Sequence, residues 1–428
     1  MASEVLFSVE GWENTTLGEA CKRGGGEIQT GPFGSQLHAA DYVAEGIPSI
    51  MPQNIGDNRI NEQGIARITP ADAARLNRYL VREGDIVYSR RGDVERKALV
   101  RSHEDGWLCG TGCLRVRFGS EEFVDSLFAS FYLSHTAVRS WIVRHAHGAT
   151  MPNLNTSILG ALPFVIPPIA EQRRIAHILG TLDDKIELNR RQNETLESLA
   201  RALFQSWFVD FDPVRAKASG EAEAAICQRL GLSPQVLALF PAALEDSTLG
   251  ELPVGWKVGK LEDLCVLQRG FDLPASVRTE GKYSVISAGG IHGTHNEFMV
   301  KGPGIVTGRS GVIGNVFFVQ DDFWPLNTTL WVKKFMHVGP SYVYQLLSGI
   351  DLKSFNAGSA VPSLNRNHVH THPVIIPSKK LAAIYEGFAT TLFKSKKSAD
   401  DESRNLIALR EELLPRLLSG ELLNTVIA

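Results

Sequence analysis

The 428-residue sequence predicts an α+β protein made of two homologous globular modules, each followed by a long helix. Three observations lead to this prediction: a phrase that occurs twice, short β-branched runs mixed with helical patterns in both halves, and apolar heptad patterns after each half. A chain of this length can form two or three domains. Its composition, with 43% hydrophobic and 21% charged residues, is that of a globular protein.

The internal repeat is clearest where each module ends. Residues 148–168 read GATMPNLNTSILGALPFVIPP, and residues 358–378 read GSAVPSLNRNHVHTHPVIIPS. Seven positions are identical at a constant offset of 210 residues. Upstream, residues 86–92 match residues 305–311 at an offset of 219, as expected if the first copy has longer surface loops. This repeat predicts two modules of the same fold.

Both modules contain short runs that predict strands, at residues 85–89 and 113–118 in the first and at residues 304–307 and 316–319 in the second. Residues 121–144 have a helical pattern. The predicted boundaries are 1–168 for the first module, 169–209 for a central helix, 210–245 for a connector with one or two short helices, 246–377 for the second module, and 378–428 for a C-terminal helix and tail.

A heptad pattern follows the first module, and residues 171–208 would form a helix about 57 Å long at about 1.5 Å per residue. Its apolar seam consists of Ile175, Leu179, Leu182, Ile186, Leu196, Ala200, Leu203 and Trp207. Asn189 and Asn193 interrupt this seam, and polar seam residues fix register at some expense of stability.

The second helix, in residues 379–414, has a looser seam of Phe388, Leu392, Ala399, Leu406, Leu409 and Leu413. Pro415 should interrupt or end it, because proline lacks the backbone N–H and clashes with the preceding turn. Each apolar stripe needs a partner. We therefore predict that the two helices form an antiparallel coiled coil that serves as a spacer.

Composition also limits the cellular setting and the partners. The amino terminus has acidic residues and no signal-like apolar core, and no apolar run approaches about 18 residues, so we expect a cytoplasmic protein without membrane contact. Five cysteines suit a reducing compartment, and the close pair Cys109 and Cys113 is expected to be buried thiols. The net charge of −3 argues mildly against nucleic-acid binding.

Catalytic signatures are missing from the sequence. It has neither a G-x-x-x-x-G-K-[ST] phosphate loop nor an Asn-Pro-Pro-aromatic tetrapeptide of amino-methyltransferases. Asp85, Glu95 and Lys97 have the order of a metal-dependent nuclease core. Their counterparts in the second module are two glycines and a valine, so this pattern is not part of the repeated element.

Three alternating histidines, His368, His370 and His372, would line one face of a strand and could chelate a metal. Their counterparts in the first module are an isoleucine, a glycine and a leucine. This favours a packed strand, and we expect no metal site.

The remaining candidates are loop phrases suited to DNA. Arginine next to glycine can read guanine bidentately or bind phosphate where the backbone approaches closely. Hairpin closure with surface ion pairs explains the same phrases equally well. The candidate DNA-binding residues are Gly31, Pro32, Phe33, Gly34, Ser35, Arg90, Arg91, Gly92, Thr150, Asn153, Arg309, Ser310, Gly311, Ser359 and Ser363.

The chain resembles the specificity subunits of type I restriction-modification systems over essentially its whole length. Residues 166–175, IPPIAEQRRI, and residues 182–186, LDDKI, are similar to the central repeated region of that family. Residues 31–35 and 358–364 are similar to its module-opening and module-closing phrases. In the second copy Ala382 stands where Gln172 would map, which leaves open whether both helices dock partners equally.

The resemblance implies a non-catalytic protein whose two target-recognition domains each read one half of a bipartite, asymmetric site in double-stranded DNA. It implies that the helices hold the halves apart and dock two methyltransferase subunits, and through them the restriction subunits. S-adenosylmethionine, Mg²⁺ and ATP then belong to the partners, and this chain has no cofactor. The residues implied at the helix pair and subunit interface are Ile175, Leu179, Leu182, Ile186, Asn189, Asn193, Leu196, Leu203, Leu392, Leu406 and Leu413.

Two alternatives from other classes remain at this stage. One is a stand-alone Mg²⁺-dependent nuclease built on Asp85, Glu95 and Lys97. The other is a scaffold with two protein-interaction modules and no role on DNA. Metal-dependent cleavage by the purified chain would support the first, and absence of a DNA footprint with partners present would support the second.

Overall fold

The computed structural model describes residues 6–33, 36–148, 152–358 and 360–422. The chain divides into two compact units, one formed by residues 1–187 and 403–428 and the other by residues 188–402. Two 40-residue helices, Ile169–Phe208 and Lys379–Leu418, each contribute to both units.

The first unit begins with the elements of the first module. In chain order they are β1 (Glu13–Thr16), α1 (Leu17–Arg23), β2 (Gly25–Thr30), β3 (Tyr42–Val43), β4 (Ile47–Ile50), β5 (Ala66–Ile68), α2 (Pro70–Arg75), β6 (Ile86–Ser89), β7 (Lys97–Leu99), β8 (Leu108–Cys109), β9 (Cys113–Gly119), α3 (Ser126–Ser134), α4 (Thr136–His145), α5 (Thr156–Gly160), β10 (Pro163–Ile166) and the long helix α6 (Ile169–Phe208).

Two four-stranded sheets and one strand pair make up the first module. One sheet has the order β2-β9-β6-β7 and is antiparallel; the other has the order β3-β5-β4-β8, with β4 parallel to β8. β1 pairs with β10, so the start and the end of the module are hydrogen-bonded together, with Thr16 opposite Pro163. The main core packs α1, α3 and α4 on the first sheet around Leu17, Phe128 and Phe164.

The elements of the second unit that follow α6 are α7 (Asp212–Ala218), α8 (Glu223–Leu230), α9 (Pro234–Leu237), β11 (Leu244–Ser247), β12 (Gly250–Pro253), β13 (Lys257–Lys260), β14 (Cys265–Arg269), β15 (Tyr283–Ser287), β16 (Gly290–His295), β17 (Gly304–Gly308), β18 (Val316–Val319), β19 (Phe323–Pro325), β20 (Thr329–Phe335), α10 (Pro340–Gly349), α11 (Arg366–His370), β21 (Pro373–Ile376) and α12 (Lys379–Leu418).

The second module repeats the topology of the first, except that its second sheet has three strands rather than four. Its four-stranded sheet has the order β14-β20-β17-β18, and its second sheet has the order β16-β15-β19, with β15 parallel to β19. β13 pairs with β21 so that Lys260 lies opposite Pro373, which reproduces the Thr16 and Pro163 pair at the repeat offsets. The prediction of two homologous α+β modules is confirmed.

The long helices are packed together and run antiparallel. In the second unit the Nδ2 atom of Asn189 donates hydrogen bonds to the carbonyl of Ala399 (3.3 Å) and to Glu402 (2.9 Å), and Asn193 donates to Asp400 (2.6 Å). Both asparagines are buried. In the first unit Arg410 donates to Asp183 at 2.6 Å. Residues with higher numbers on α6 contact residues with lower numbers on α12, as expected for antiparallel helices.

Most of the predicted seam is at least half buried in the structure. Ile175, Leu179, Ala200 and Trp207 are buried, and the remaining predicted apolar positions on α6 are half-buried. On α12, Leu392, Leu406 and Leu413 are half-buried. The inclusion of Leu409 was wrong, because it is 42% exposed, whereas Phe388, although 49% exposed, packs edge-to-face on Trp207 of α6. The buried side of that helix instead carries Tyr385, Ala389 and Phe393.

Three local predictions were also wrong. α12 continues through Pro415 to Leu418, because Leu417 and Leu418 are buried in the core of the first unit. Residues 121–144 do not form one helix, since His135 separates α3 from α4 and its Nδ1 accepts a hydrogen bond from the amide of Ala137. The connector contains three short helices rather than one or two.

Gln172 and its counterpart Ala382 are both buried, so this departure from the repeat does not change an exposed surface. Gln172 accepts from the amide of Asp125 (2.9 Å) and donates to the carbonyls of Phe123 and Pro167, which ties α6 to the start of α3. In the second module Glu386 makes the equivalent tie by accepting from the amide and hydroxyl of Ser341 at the start of α10.

Candidate nucleic-acid interface

The first module places its arginine turn in the loop of the β6–β7 hairpin. Gly92 has φ of 76°, a left-handed conformation that favours glycine. The amide of Arg90 donates to the carbonyl of Gly112 (2.8 Å), and the carbonyl of Arg90 accepts from the amide of Leu154 (2.8 Å). The amide of Gly92 donates to Pro152 (3.2 Å). The turn is therefore hydrogen-bonded to the module-closing phrase.

The second module builds the same arrangement on the β17–β18 hairpin. Gly311 has φ of 86° and donates its amide to the carbonyl of Pro362 (2.9 Å). Arg309 donates its amide to Thr328 and accepts from the amide of Leu364, both at 2.8 Å. Two sequence phrases that are about 50 to 60 residues apart thus form one loop surface in each module.

The side chains on these two surfaces differ. Arg91 forms an isolated bridge with Asn153, and at the equivalent positions Ser310 forms one with Ser363. The sequence identified the two phrases separately but gave no sign that they lie side by side.

The opening phrase adjoins the same end of the first sheet. The amide of Gly31 donates to the carbonyl of Cys113 (3.0 Å), and a Cβ at position 31 would lie 2.1 Å from the carbonyl oxygen of Gly110. Thr111 donates its hydroxyl to the carbonyl of Pro32 (3.0 Å), and the Phe33 side chain is 60% exposed. The glycine is required because backbone fills the space beside it.

Sequence reasoning missed the counterpart of this phrase at Gly270 and Phe271. The amide of Gly270 donates to Thr329 (3.1 Å), and a Cβ there would meet the carbonyl of Leu326 at 2.2 Å. Phe271 is half-buried and packs against Trp324 and Trp331 rather than being exposed. A signal was available in the sequence, because Gly270 directly follows the residues of β14 just as Gly31 directly follows those of β2.

The arginine side chains have few polar partners. In the described parts of the chain, Arg90, Arg91 and Arg309 form no ion pair, which leaves the surface ion-pair explanation without support. Arg309 donates to the carbonyl of Asn327 (3.1 Å). Arg90 is half-buried, and its Nε and the Oδ1 of Asn153 are buried without a hydrogen-bond partner among the described residues. The candidates Gly34, Ser35, Thr150 and Ser359 lie outside the described residues.

The residues of the nuclease hypothesis have separate structural partners. Asp85 is buried and accepts two hydrogen bonds from Arg117, at 2.7 and 2.6 Å. Glu95 is partly exposed and lies 3.9 Å from Arg139. Lys97 is buried and donates to Asn58 and Ser130. Within the described residues, these three side chains share no hydrogen-bond or ion-pair partner.

The histidines do not form a chelating face. The prediction of a strand there was wrong, because Asn365 caps the short helix α11 with its side chain accepting from the amide of Asn367, and β21 begins only at Pro373. His370 accepts a hydrogen bond through Nε2 from the amide of Leu267 (2.8 Å). Within residues 6–33, 36–148, 152–358 and 360–422, no group of three or more His, Cys, Asp or Glu side chains is arranged to hold a metal.

The protein has two modules of one fold and a pair of long helices. In each module the arginine turn is hydrogen-bonded to the module-closing phrase. These features together define a class of two-module proteins. A family model described as the type I restriction modification DNA specificity domain matches residues 9–198 and 253–386. The chain belongs to this family and is a DNA specificity subunit of a type I restriction-modification system. Members of this family are non-catalytic and carry no cofactor themselves.

The chain is similar to the type I restriction enzyme HindI specificity subunit of Haemophilus influenzae, with 26% identity over an alignment 408 residues long, which covers 80% of this chain and 87% of the relative. It is also similar to the MjaIX specificity subunit of Methanocaldococcus jannaschii, with 24% identity over 317 residues and 68% of each chain covered. The crystal structure of an S subunit from M. genitalium has the same fold, with a TM-score of 0.57, 17% identity and 97% of this chain covered.

Among the described residues, no helix combines the length and the hydropathy that a membrane span requires.

Proposed function

We propose that each module reads one half of a bipartite, asymmetric sequence in double-stranded DNA through its arginine turn and module-closing phrase. The observation that carries this proposal is that one loop arrangement occurs twice on one fold, with Arg91 and Asn153 replaced by Ser310 and Ser363. Bases are distinguished by the donors and acceptors of side chains, so unlike side chains on like backbones suit two different half-sites.

The arginines are the side chains best suited to base or phosphate contacts. Arg91 is exposed, and neither Arg90 nor Arg309 is neutralised by a carboxylate among the described residues. The guanidinium group can donate two parallel hydrogen bonds to guanine or to a phosphate. A net charge of −3 is compatible with DNA binding if partner subunits supply much of the phosphate contact.

The helix pair is the proposed docking element for two methyltransferase subunits, and through them for restriction subunits. Ile178, Leu188 and Leu199 on α6 are 36%, 58% and 47% exposed, so this helix offers apolar side chains that partner subunits would cover. S-adenosylmethionine, Mg²⁺ and ATP would be bound by those partners.

The direct test is methylome sequencing of cells that carry the system with Arg90→Ala or Arg309→Ala. Each change should weaken DNA binding by about 1–3 kcal/mol and relax preference at one base position, in one half-site only. Arg229→Ala is the matched control, because this exposed arginine lies on α8 in the connector and pairs with Glu221. Equal loss at both half-sites, or an effect of the control as large, would contradict the proposal.

A further inference from the structure

The segment that ends at Asp272 lies beside the arginine turn of the second module. The amide of Gly270 donates to the carbonyl of Thr329 (3.1 Å). The amide of Arg309 donates to the carbonyl of the preceding residue, Thr328 (2.8 Å). Both segments are therefore hydrogen-bonded to consecutive residues where β20 begins. Asp272 thus belongs to the same loop surface as Arg309.

Asn327 connects Asp272 to the arginine turn. Its backbone carbonyl accepts a hydrogen bond from the guanidinium of Arg309 (3.1 Å), and its side-chain Nδ2 donates to the carboxylate of Asp272. Because an ionised carboxylate only accepts hydrogen bonds, this contact fixes the orientation of the Asn327 amide. The carboxylate of Asp272 is therefore held at a defined position next to Arg309.

The Asp272 carboxylate is also accessible to a ligand. Its side chain is 74% exposed, and it forms an ion pair over 4.0 Å with Arg269, whose side chain is 54% exposed. An ion pair of this length between exposed side chains contributes little to stability. A carboxylate has about four lone-pair sites, so the contact with Asn327 leaves acceptors for a further hydrogen bond.

The first module differs from the second at this position. By the same backbone contacts, Thr111 is the counterpart of Asn327 and Phe33 is the counterpart of Asp272. The hydroxyl of Thr111 donates to the carbonyl of Pro32 (3.0 Å), and the Phe33 side chain is 60% exposed. One module therefore presents an apolar ring where the other presents a negative charge.

A carboxylate on a DNA-binding surface is repelled by phosphates, so it is favourable only opposite a hydrogen-bond donor of the bases. In the major groove these donors are the N4 amino group of cytosine and the N6 amino group of adenine. The adenine amino group lies between two acceptors, adenine N7 and thymine O4, whereas the cytosine amino group has an acceptor on one side only, guanine O6. A carboxylate carries two acceptor oxygens, and cytosine is therefore its better partner.

We propose that Asp272 is a specificity-determining residue that accepts a hydrogen bond from the N4 amino group of a cytosine, and that Asn327 positions it. This inference rests on the proposed function, in which the second module reads one half-site through the loop surface around Arg309. It adds the base type that this surface selects. The first module lacks this contact, because Phe33 stands at the equivalent position.

The test uses the full-length chain assembled with its partner subunits. Methylome sequencing of cells with the wild-type system gives the recognised sequence, and fluorescence anisotropy then measures binding to duplexes in which each base pair is replaced in turn. In the half-site that Arg309→Ala affects, Asp272→Ala should lower the discrimination at one G·C pair by about tenfold to a hundredfold. It should also strengthen binding to unrelated DNA, because a negative charge is lost.

Two further variants separate base reading from a structural role. Asp272→Asn keeps the shape of the side chain but replaces one acceptor oxygen by a donor, so it should lose preference at the same G·C pair. Asn327→Ala should reduce that preference less, by about threefold to tenfold, because it removes only the hydrogen bond that positions the carboxylate. The preference due to Arg309 should remain, since Arg309 contacts the backbone carbonyl of Asn327.

Glu262→Ala is the matched control for the loss of one negative charge. Glu262 is an exposed carboxylate that pairs with Lys260 over 3.6 Å, and it precedes β14, whereas Asp272 follows this strand. Its replacement should leave the discrimination at every base pair unchanged. Arg269→Ala tests whether Asp272 serves only the ion pair. It should weaken binding to all duplexes alike and preserve the preference at the G·C pair.

The proposal is overturned if Asp272→Ala and Asp272→Asn leave the preference at every position unchanged, or if the pair that relaxes is A·T. It is also overturned if Arg269→Ala relaxes the same pair as Asp272→Ala. An effect of Arg309→Ala on the half-site without an effect of Asp272→Ala would refute this inference alone. If neither variant changes the preference at any position, the proposed function of the second module fails as well.

Discussion

Asp85 holds two arginines in the interior of the first module. It is 2% exposed, accepts two hydrogen bonds from Arg117, and lies 3.9 Å from Arg115, which is equally buried. Arg115 also donates to Glu27 (2.8 Å). Carboxylate and guanidinium groups at this depth are structural, because each charge neutralises its neighbour where water cannot.

Asp85→Ala should therefore lower the free energy of unfolding by about 3–5 kcal/mol, since it removes the buried carboxylate that pairs with Arg117 and leaves Arg115 with Glu27 alone. Urea unfolding of the full-length chain, followed by circular dichroism, measures this loss. Glu95→Ala is the matched control from the same nuclease hypothesis. Its partly exposed side chain lies 3.9 Å from Arg139, so it should change stability by less than about 1 kcal/mol. A similar loss for both variants would contradict the assignment.

The cysteines are expected to be unreactive in the folded protein, with one exception. Burial raises the pKa of Cys21, Cys109 and Cys265 to about 12 and that of Cys113 further above its usual value. Thiolates are the reactive form, so iodoacetamide at pH 8 should modify Cys227 alone, which is only partly buried. Mass spectrometry of the native and the urea-unfolded chain checks this, and rapid native labelling of Cys109 would contradict it.

For single residues, the sequence predicts which positions of the two modules are equivalent better than it predicts which residues lie side by side. The repeat identified Arg90 and Arg309 as equivalent, because residue types and their spacing can be read directly from the sequence. It did not identify the neighbours Asn153 and Ser363 as part of the same surface, since that depends on a backbone hydrogen bond from the closing phrase to the hairpin loop.

Among the elements, the two long helices were the most predictable from the sequence. The predicted start of α6 at residue 171 is within two residues of the observed Ile169, and its end at Phe208 is as predicted. Heptad spacing over five turns or more is a strong signal, because an apolar stripe of that length is stable only against a partner. Short elements have too few residues for such a repeated pattern. The N-cap at Asn365 was therefore enough to make residues 366–370 a short helix, where the alternating histidines had predicted a strand.

The seam of α6 can be tested with two leucines four residues apart. Leu203 is half-buried against the core of the second unit, whereas Leu199 is 47% exposed on the same helix. Leu203→Asp should destabilise the chain by several kcal/mol, because an unpaired charge would be placed against apolar side chains. Leu199→Asp should leave the unfolding free energy within about 0.5 kcal/mol.

Thermal unfolding of the two variants measures the difference, and size-exclusion chromatography with the partner subunits adds a second reading. If Leu199 belongs to the docking surface, Leu199→Asp should reduce assembly while the chain itself stays folded. If Leu203→Asp leaves both stability and assembly unaltered, the seam has been assigned wrongly.

For the whole molecule, duplication of the module would allow one chain to read the bipartite, asymmetric site that we propose. The two modules share the strand order of the sheets β2-β9-β6-β7 and β14-β20-β17-β18 and the register of the pairs β1·β10 and β13·β21, yet carry unlike side chains on equivalent loops. Recognition is then free to change in one module without changing the other. Net charge was a weaker predictor of DNA binding than the repeat. The value of −3 is the sum over the whole chain and does not reveal the arginines of the two turns, which have no carboxylate partner among the described residues.

Specificity should therefore be modular, with residues 1–168 reading one half-site and residues 246–377 the other. Replacing the first module by that of a relative such as the HindI specificity subunit should change one half of the methylated sequence and leave the other half intact. Methylome sequencing of cells carrying the chimera reads both halves at once, and a chimera of the second module is the reciprocal control. A swap that altered both half-sites together, or that abolished recognition in a complex still assembled by size-exclusion chromatography, would mean that the modules do not read DNA independently.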